Sequence, residues 1–147
     1  MPELNPADND GTYPVPSDAA VSSFIETISF NGDGLVAAIA QQGESGEVLM
    51  MAWMSAEAVR ETLATGRVCY WSRSRQALWR KGETSGQVQR LIDARIDCDG
   101  DTLLLIVDQT GVACHTGRRS CFFQAIRNDA VTAIADVEIP PEDLYRK

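Results

Sequence analysis

Between Asp97 and Cys121 this 147-residue chain gathers three of its four cysteines, its only histidine and three carboxylates at alternate positions. The stretch opens with Asp97-Cys98-Asp99-Gly100-Asp101 and runs through the apolar residues Thr102 to Val107. It closes with Gly111-Val112-Ala113-Cys114-His115-Thr116-Gly117 and then Cys121. Thiolates are soft donors and carboxylates hard ones, so the stretch offers places for one soft and one hard cation. It reads as the site of a metal-dependent enzyme. If Asp97 to Asp101 is extended, its side chains alternate between faces, and Asp97, Asp99 and Asp101 share one of them. Their repulsion is then relieved by a hard, oxygen-ligated ion such as Mg2+. A hairpin turning at Asp99-Gly100, with acidic residues exposed at its tip, is the plainer alternative and is compatible with a metal. An EF-hand fits badly, because Gly100 stands at the fourth loop position instead of the sixth and strands flank the loop.

The same alternation sets Cys98 on the face opposite Asp97 and Asp99. Cys114 and Cys121 follow at separations of sixteen and seven residues. Without a Cys-x-x-Cys pair this is no zinc ribbon. Three thiolates leave one tetrahedral position free for water, as in catalytic zinc sites. His115 as a fourth ligand would close the site and make it structural, although adjacent residues of a strand point apart. Three unrelated buried thiols is a further reading. Cys69, in Val68-Cys69-Tyr70-Trp71-Ser72, has no ligand partner nearby in sequence and reads as a small buried hydrophobe.

A second chemistry lies upstream. The chain is acidic, with a formal charge of −8, which argues against non-specific nucleic-acid binding. Yet seven of the 13 basic residues fall between Arg67 and Arg95, opposed there only by Glu83 and Asp93. Within that span, Arg73 to Gly86 mixes guanidinium groups, hydroxyls, glycines and Trp79. Such groups suit phosphate oxygens and a base, and they equally suit a solvated loop. The P-loop pattern is absent.

The elements that must position these residues read as follows. Leu35 to Ala40 and Val48 to Trp53 are strands joined by a turn at Gly43 to Gly46. Ser55 caps a helix that Gly66 ends, with Ala58, Val59 and Leu63 on its inner face. Val68 to Ser72, Val88 to Ile96 and Thr102 to Val107 are further strands; Ser22 to Phe30 is ambiguous. Residues 1–20 hold four acidic residues, four prolines and no basic residue. A disordered acidic, proline-rich tail is expected there, followed by one domain over 21–147. No apolar run approaches a membrane span, and the N-terminus lacks the basic region of a signal peptide. A cytoplasmic location with reduced thiols is expected.

These residues together resemble the phosphoribosyl-AMP cyclohydrolase family. The resemblance rests on Asp97 to Asp101, on Cys114-His115-Thr116-Gly117 with Cys121, and on Trp79-Arg80-Lys81-Gly82-Glu83-Thr84-Ser85-Gly86. Val48 to Met54 and Tyr70-Trp71-Ser72-Arg73-Ser74 add to it, so that it spans roughly Leu35 to Phe123. It implies hydrolysis of the N1–C6 bond of 1-(5-phosphoribosyl)-AMP, a step of histidine biosynthesis. It implies one Mg2+ per subunit on Asp97, Asp99 and Asp101, and one Zn2+ per subunit on Cys98, Cys114 and Cys121. The zinc ligands are then shared across a homodimer, in a mainly β, α+β fold of intertwined sheets with one helix in the N-terminal half. Substrate contacts are expected from Trp71, Arg73, Ser74, Lys81, Glu83, Thr84 and Ser85. Zinc-activated hydroxide would attack adenine C6, with His115 as the nearby base. A zinc nucleobase deaminase is the alternative, although its His-x-Glu and Pro-Cys-x-x-Cys signature is missing. A non-enzymatic zinc-stapled dimer is another.

Overall fold

The structure, a computed structural model, describes residues 13–144. Its elements in chain order are α1 Asp18–Glu26, β1 Leu35–Gln42, β2 Val48–Ser55, α2 Ala56–Thr65, β3 Cys69–Ser72, β4 Ala77–Arg80, β5 Gln89–Ile96, β6 Thr102–Gln109, β7 Gln124–Arg127, β8 Ala130–Ala133 and α3 Pro141–Leu144. The fold is mainly β, as the sequence predicts. Six strands form one sheet in the order β4-β3-β2-β1-β6-β5, and β7 and β8 form a separate hairpin. Neighbours in the sheet are antiparallel except β1 and β6, which run parallel.

The sheet curls on itself. Gly66 to Val68, entering β3, reach across to β5: Val68 N–H donates to the Gln89 carbonyl at 3.1 Å and Leu91 N–H to the Gly66 carbonyl at 2.8 Å. One face is thereby turned inward along the strands. β6 buries Leu103, Leu105, Val107 and Gln109, every second residue. β1 does the same with Val36, Ala38, Ala40 and Gln42. Leu49, Met54, Val59 and Tyr70 join them in one core cluster. Helix α2 packs over this core through Ala58, Val59, Thr62 and Leu63. Its ends follow the sequence: the Ser55 hydroxyl accepts from Ala58 N–H, and Gly66 at φ 75° terminates it in the left-handed region.

Three features differ from the sequence reading. A helix, α1, begins at Asp18, within the span expected to be tail, because Ser17 caps it by accepting from Ala20 N–H. The tail's first twelve residues lie outside the described ones. Strand β4 lies in a stretch with no sustained period; its four residues are too few to show one, and pairing with β3 makes them extended. The β7–β8 hairpin turns at Asn128-Asp129, both at positive φ (51° and 67°), the backbone that a tight two-residue hairpin loop needs.

Leu105 sits on the inner face at 1 % exposure. Leu105→Ala should cost about 2–5 kcal/mol in urea unfolding, by lost transfer energy plus a cavity. A loss well under about 1 kcal/mol would contradict a filled inner face at that position.

Candidate metal centre and active site

The five residues Asp97 to Asp101 form the turn between β5 and β6. They are not extended. The Asp97 carboxylate accepts from Asp101 N–H at 3.0 Å and from Thr102 N–H at 3.3 Å, which folds the segment back over its own side chain. Gly100 makes this possible at φ +75°; a Cβ there would stand 2.6 Å from the Thr27 carbonyl at the end of α1. The expected alternation of faces therefore does not apply, and the expectation that Cys98 points away from its neighbours is corrected. The Cys98 sulfur and the Asp97 and Asp99 oxygens all lie within 4.8 Å of one another, and all three residues are exposed. Asp101 adjoins this group through Asp97. Slight desolvation raises the Asp97 pKa, but bonds from Asp101, Thr102 and Gly100 outweigh it and hold that carboxyl below its ordinary value. The hydrogen bond to Asp97 and that group's charge hold Asp101 above. Carboxylates so crowded fit a hard cation.

Cys114 and Cys121 sit elsewhere. Ala113 N–H donates to the Arg119 carbonyl at 2.9 Å, Cys114 N–H to Arg118 at 3.1 Å, and Gly117 N–H to Cys114 at 3.0 Å, so Cys114 to Gly117 is a tight loop. Gly117 takes φ +88°, and a side chain there would collide with the Ile139 carbonyl. The loop's far end is tied to β2: Cys121 N–H donates to the Leu49 carbonyl at 2.7 Å and the Ser120 hydroxyl to Val48 at 2.7 Å. Both thiols line one cleft, and the Thr116 hydroxyl donates to the Cys114 sulfur at 3.1 Å. Burial works against ionisation of Cys114, but the bonds from Thr116 and Cys121 and the nearby Lys81 ammonium bring its pKa below the ordinary thiol value. Burial and the charge of Cys114 push Cys121 up to about 12. Two thiols in the lining of one cleft are a donor pair suited to a soft cation.

Beside the pair opens a cleft of about 260 Å³ whose walls include Lys81, Trp79, His115 and Leu144. A second hollow of about 290 Å³ shares Trp79, Lys81 and Ser85 with it and adds Thr84 and Arg75. Of the expected substrate contacts, Lys81, Thr84 and Ser85 thus come together next to His115. Glu83 is exposed and lines neither hollow. Trp71 pairs with Trp53 and Leu78 in the sheet, the Arg73 guanidinium lies 5.1 Å over the Trp53 ring, and the Ser74 and Ser72 hydroxyls are 3.4 Å apart. Arg80 is held away by a two-pronged bond to Glu61, 2.8 Å on each prong.

The three candidate zinc ligands are divided. Cys98 precedes the first residue of β6, whereas Cys114 follows its last, and the eight residues between span on the order of 20 Å. Among the described residues only Asp97, Cys98 and Asp99 bring three such donors together.

The sequence reading missed a set of buried amides behind the thiol loop. Tyr70 Oη donates to Gln89 Oε1 at 2.7 Å, Gln89 Nε2 to Gln109 Oε1 at 2.8 Å, and Gln109 Nε2 to the Thr110 carbonyl at 2.7 Å. Gln87 Oε1 accepts from Val112 N–H at 3.1 Å. A signal was present. Gln109 keeps the parity of Leu103, Leu105 and Val107, and Gln89 that of Leu91, so both amides had to face inward.

Residues 50–123 match the family model for phosphoribosyl-AMP cyclohydrolase. The chain is 62% identical over 129 residues to the phosphoribosyl-AMP cyclohydrolase of Rhodospirillum centenum, covering 88% of this chain and 97% of that one. It is 67% identical over 126 residues to that of Paramagnetospirillum magneticum, covering 86% and 96%. The chain belongs to the phosphoribosyl-AMP cyclohydrolase family. Cyclohydrolases of this family are hydrolases of histidine biosynthesis, and the matched span contains every candidate metal ligand and substrate contact named above. No helix among the described residues is long and apolar enough to cross a membrane.

Cys69 stands apart from this chemistry. It is fully buried, and burial together with the Glu61 carboxylate pushes its thiol up to about 12. In metal-free native protein at pH 8, iodoacetamide should label exposed Cys98 and leave Cys69 unmodified until the protein unfolds, as read by peptide mass spectrometry. Labelling of both at equal rates would contradict the placement of Cys69.

Proposed function

We propose that this protein hydrolyses the N1–C6 bond of 1-(5-phosphoribosyl)-AMP, using one zinc and one magnesium ion per subunit, at a site that two chains build together. Family membership supports the reaction. The observation that carries the site is the division of its thiols: Cys114 and Cys121 line one cleft with His115, and Cys98 lies at the other end of β6. Zinc–sulfur bonds are about 2.3 Å long, so three thiolates on one ion lie within about 4 Å of one another. One chain folded this way does not meet that condition, whereas a second copy related by a two-fold axis could bring its Cys98 to the pair and repeat the arrangement at two sites.

The donor sets fit the two ions. Cys114, Cys121 and a partner's thiolate offer soft ligands and leave one position open. Asp97, Asp99 and Asp101 offer hard ones. A zinc ion held by the thiolates would supply Lewis acidity that brings a water towards ionisation near neutral pH. This chain's residues do the rest. His115, in the wall of the cleft, takes the water proton as oxygen bonds to C6. It returns that proton to N1, which keeps the electron pair of the broken bond, while the remaining hydroxyl proton passes to the exocyclic nitrogen as C6 becomes a carboxamide carbonyl. Thr84, Ser85 and Arg75, around the adjoining hollow, supply hydroxyl and guanidinium groups for phosphate oxygens, and Trp79 offers a face for the base. The aspartates would hold the second ion, which would offset negative charge on the phosphates.

A spectrophotometric assay with phosphoribosyl-AMP, run with metal analysis, tests the proposal. Ring opening with about one zinc per chain is expected. Ammonia release would mark a deaminase instead, and zinc without turnover a structural staple. Cys98→Ser, Cys114→Ser and Cys121→Ser should each lose zinc while Cys69→Ser keeps it. Asp97→Asn should lower Mg2+-dependent activity by at least about tenfold with zinc content near wild type. A matching fall in zinc would contradict the separate hard-ion site.

A further inference from the structure

Lys81 belongs, by sequence, to the residues expected to meet the substrate. The structure commits it differently. It is 8 % exposed, and its Nζ donates to the Ala113 carbonyl at 2.6 Å. The same ammonium lies 5.2 Å from the Trp79 ring centroid. Among the described residues no carboxylate forms an ion pair with it. The thiols of Cys121 and Cys114 line the same cleft as Lys81.

Ala113 is the residue before Cys114, and Val112 before it is also held: its N–H reaches Gln87 Oε1 at 3.1 Å. The segment leading to Cys114 is thus gripped at two successive residues, by an amide on one and an ammonium on the other. A buried ammonium is costly unless its hydrogen bonds and its charge are both answered. Here the carbonyl answers the first, and the face of the Trp79 ring answers part of the second. Thr84 and Arg75 in the neighbouring hollow are exposed, and Ser85 is half-buried. Those groups stand more open to a phosphate, whereas Lys81 is buried and has one of its three protons already committed to Ala113.

We propose that Lys81 is a positioning residue of the thiol loop: it fixes the backbone at Ala113, and through it the Cys114 sulfur, and does not bind a substrate phosphate. The inference rests on the reading that Cys114 and Cys121 hold zinc.

Lys81→Met in the full-length protein tests it through two readouts, zinc affinity by chelator competition and the separation of KM from kcat. Weakening of zinc binding by at least about tenfold is expected, as for other groups that orient metal ligands. KM should stay within about threefold while kcat falls. If Lys81→Met does not fold, as judged by circular dichroism, the same readouts are taken on Lys81→Arg. Its planar fork still donates but cannot reproduce the single bond to Ala113, and a smaller change of the same kind is expected. A rise in KM above about tenfold with unchanged zinc affinity would overturn the proposal and return Lys81 to the phosphate. If the wild-type protein does not turn over phosphoribosyl-AMP, the proposed activity fails, and zinc affinity alone still decides the role of Lys81.

Discussion

Strand β6 sets the constraint on which everything else depends. It is eight residues long and interior to the sheet, bonded to β1 on one side and β5 on the other. It holds Cys98 at one end and the loop of Cys114 and Cys121 at the other. A strand so buried cannot bend to bring its ends together. On the proposed reading, the soft-metal site is completed between chains because the sheet forbids its completion within one.

Both halves of the divided site are built by backbone hydrogen bonds more than by side-chain packing. The Asp97 turn is folded by its own carboxylate and pinned to the end of α1, where Ser29 N–H donates to the Gly100 carbonyl at 2.6 Å. The thiol loop is tied to β2 at Ser120 and Cys121 and steadied from beneath by Gln87 and Lys81. Behind it the amides of Gln89 and Gln109 replace apolar core on the inner face. Each is bonded, and among the described residues no buried side-chain nitrogen or oxygen lacks a partner. A satisfied polar network in a low-dielectric interior favours one geometry over its alternatives, which is what a loop that presents two sulfurs at a fixed separation requires.

Donor chemistry was legible in the sequence, because residue types and spacing carry it directly. So were β1, β2, β5, β6 and α2, where apolar alternation or the Ser55 and Gly66 caps act locally. What escaped was decided by non-local contacts. The face on which Cys98 lies followed from a turn closed by Asp97, not from strand alternation. Strand β4 exists because β3 offers it a partner. The burial of Lys81 depends on a carbonyl thirty-two residues away. The inward amides of Gln89 and Gln109 could have been read from parity alone.

Subunit complementation tests the shared site most directly. A Cys98→Ser chain and a Cys114→Ser chain are unfolded together, refolded, and the heterodimer isolated by differential tags. If each site draws Cys98 from one chain and Cys114 with Cys121 from the other, the heterodimer has one intact site and one that lacks two ligands. The account predicts zinc at close to one ion per heterodimer, with cyclohydrolase activity returning alongside it. A confirmed heterodimer with no recovery of zinc or activity would contradict it, because every site would then be drawing all three thiolates from a single chain.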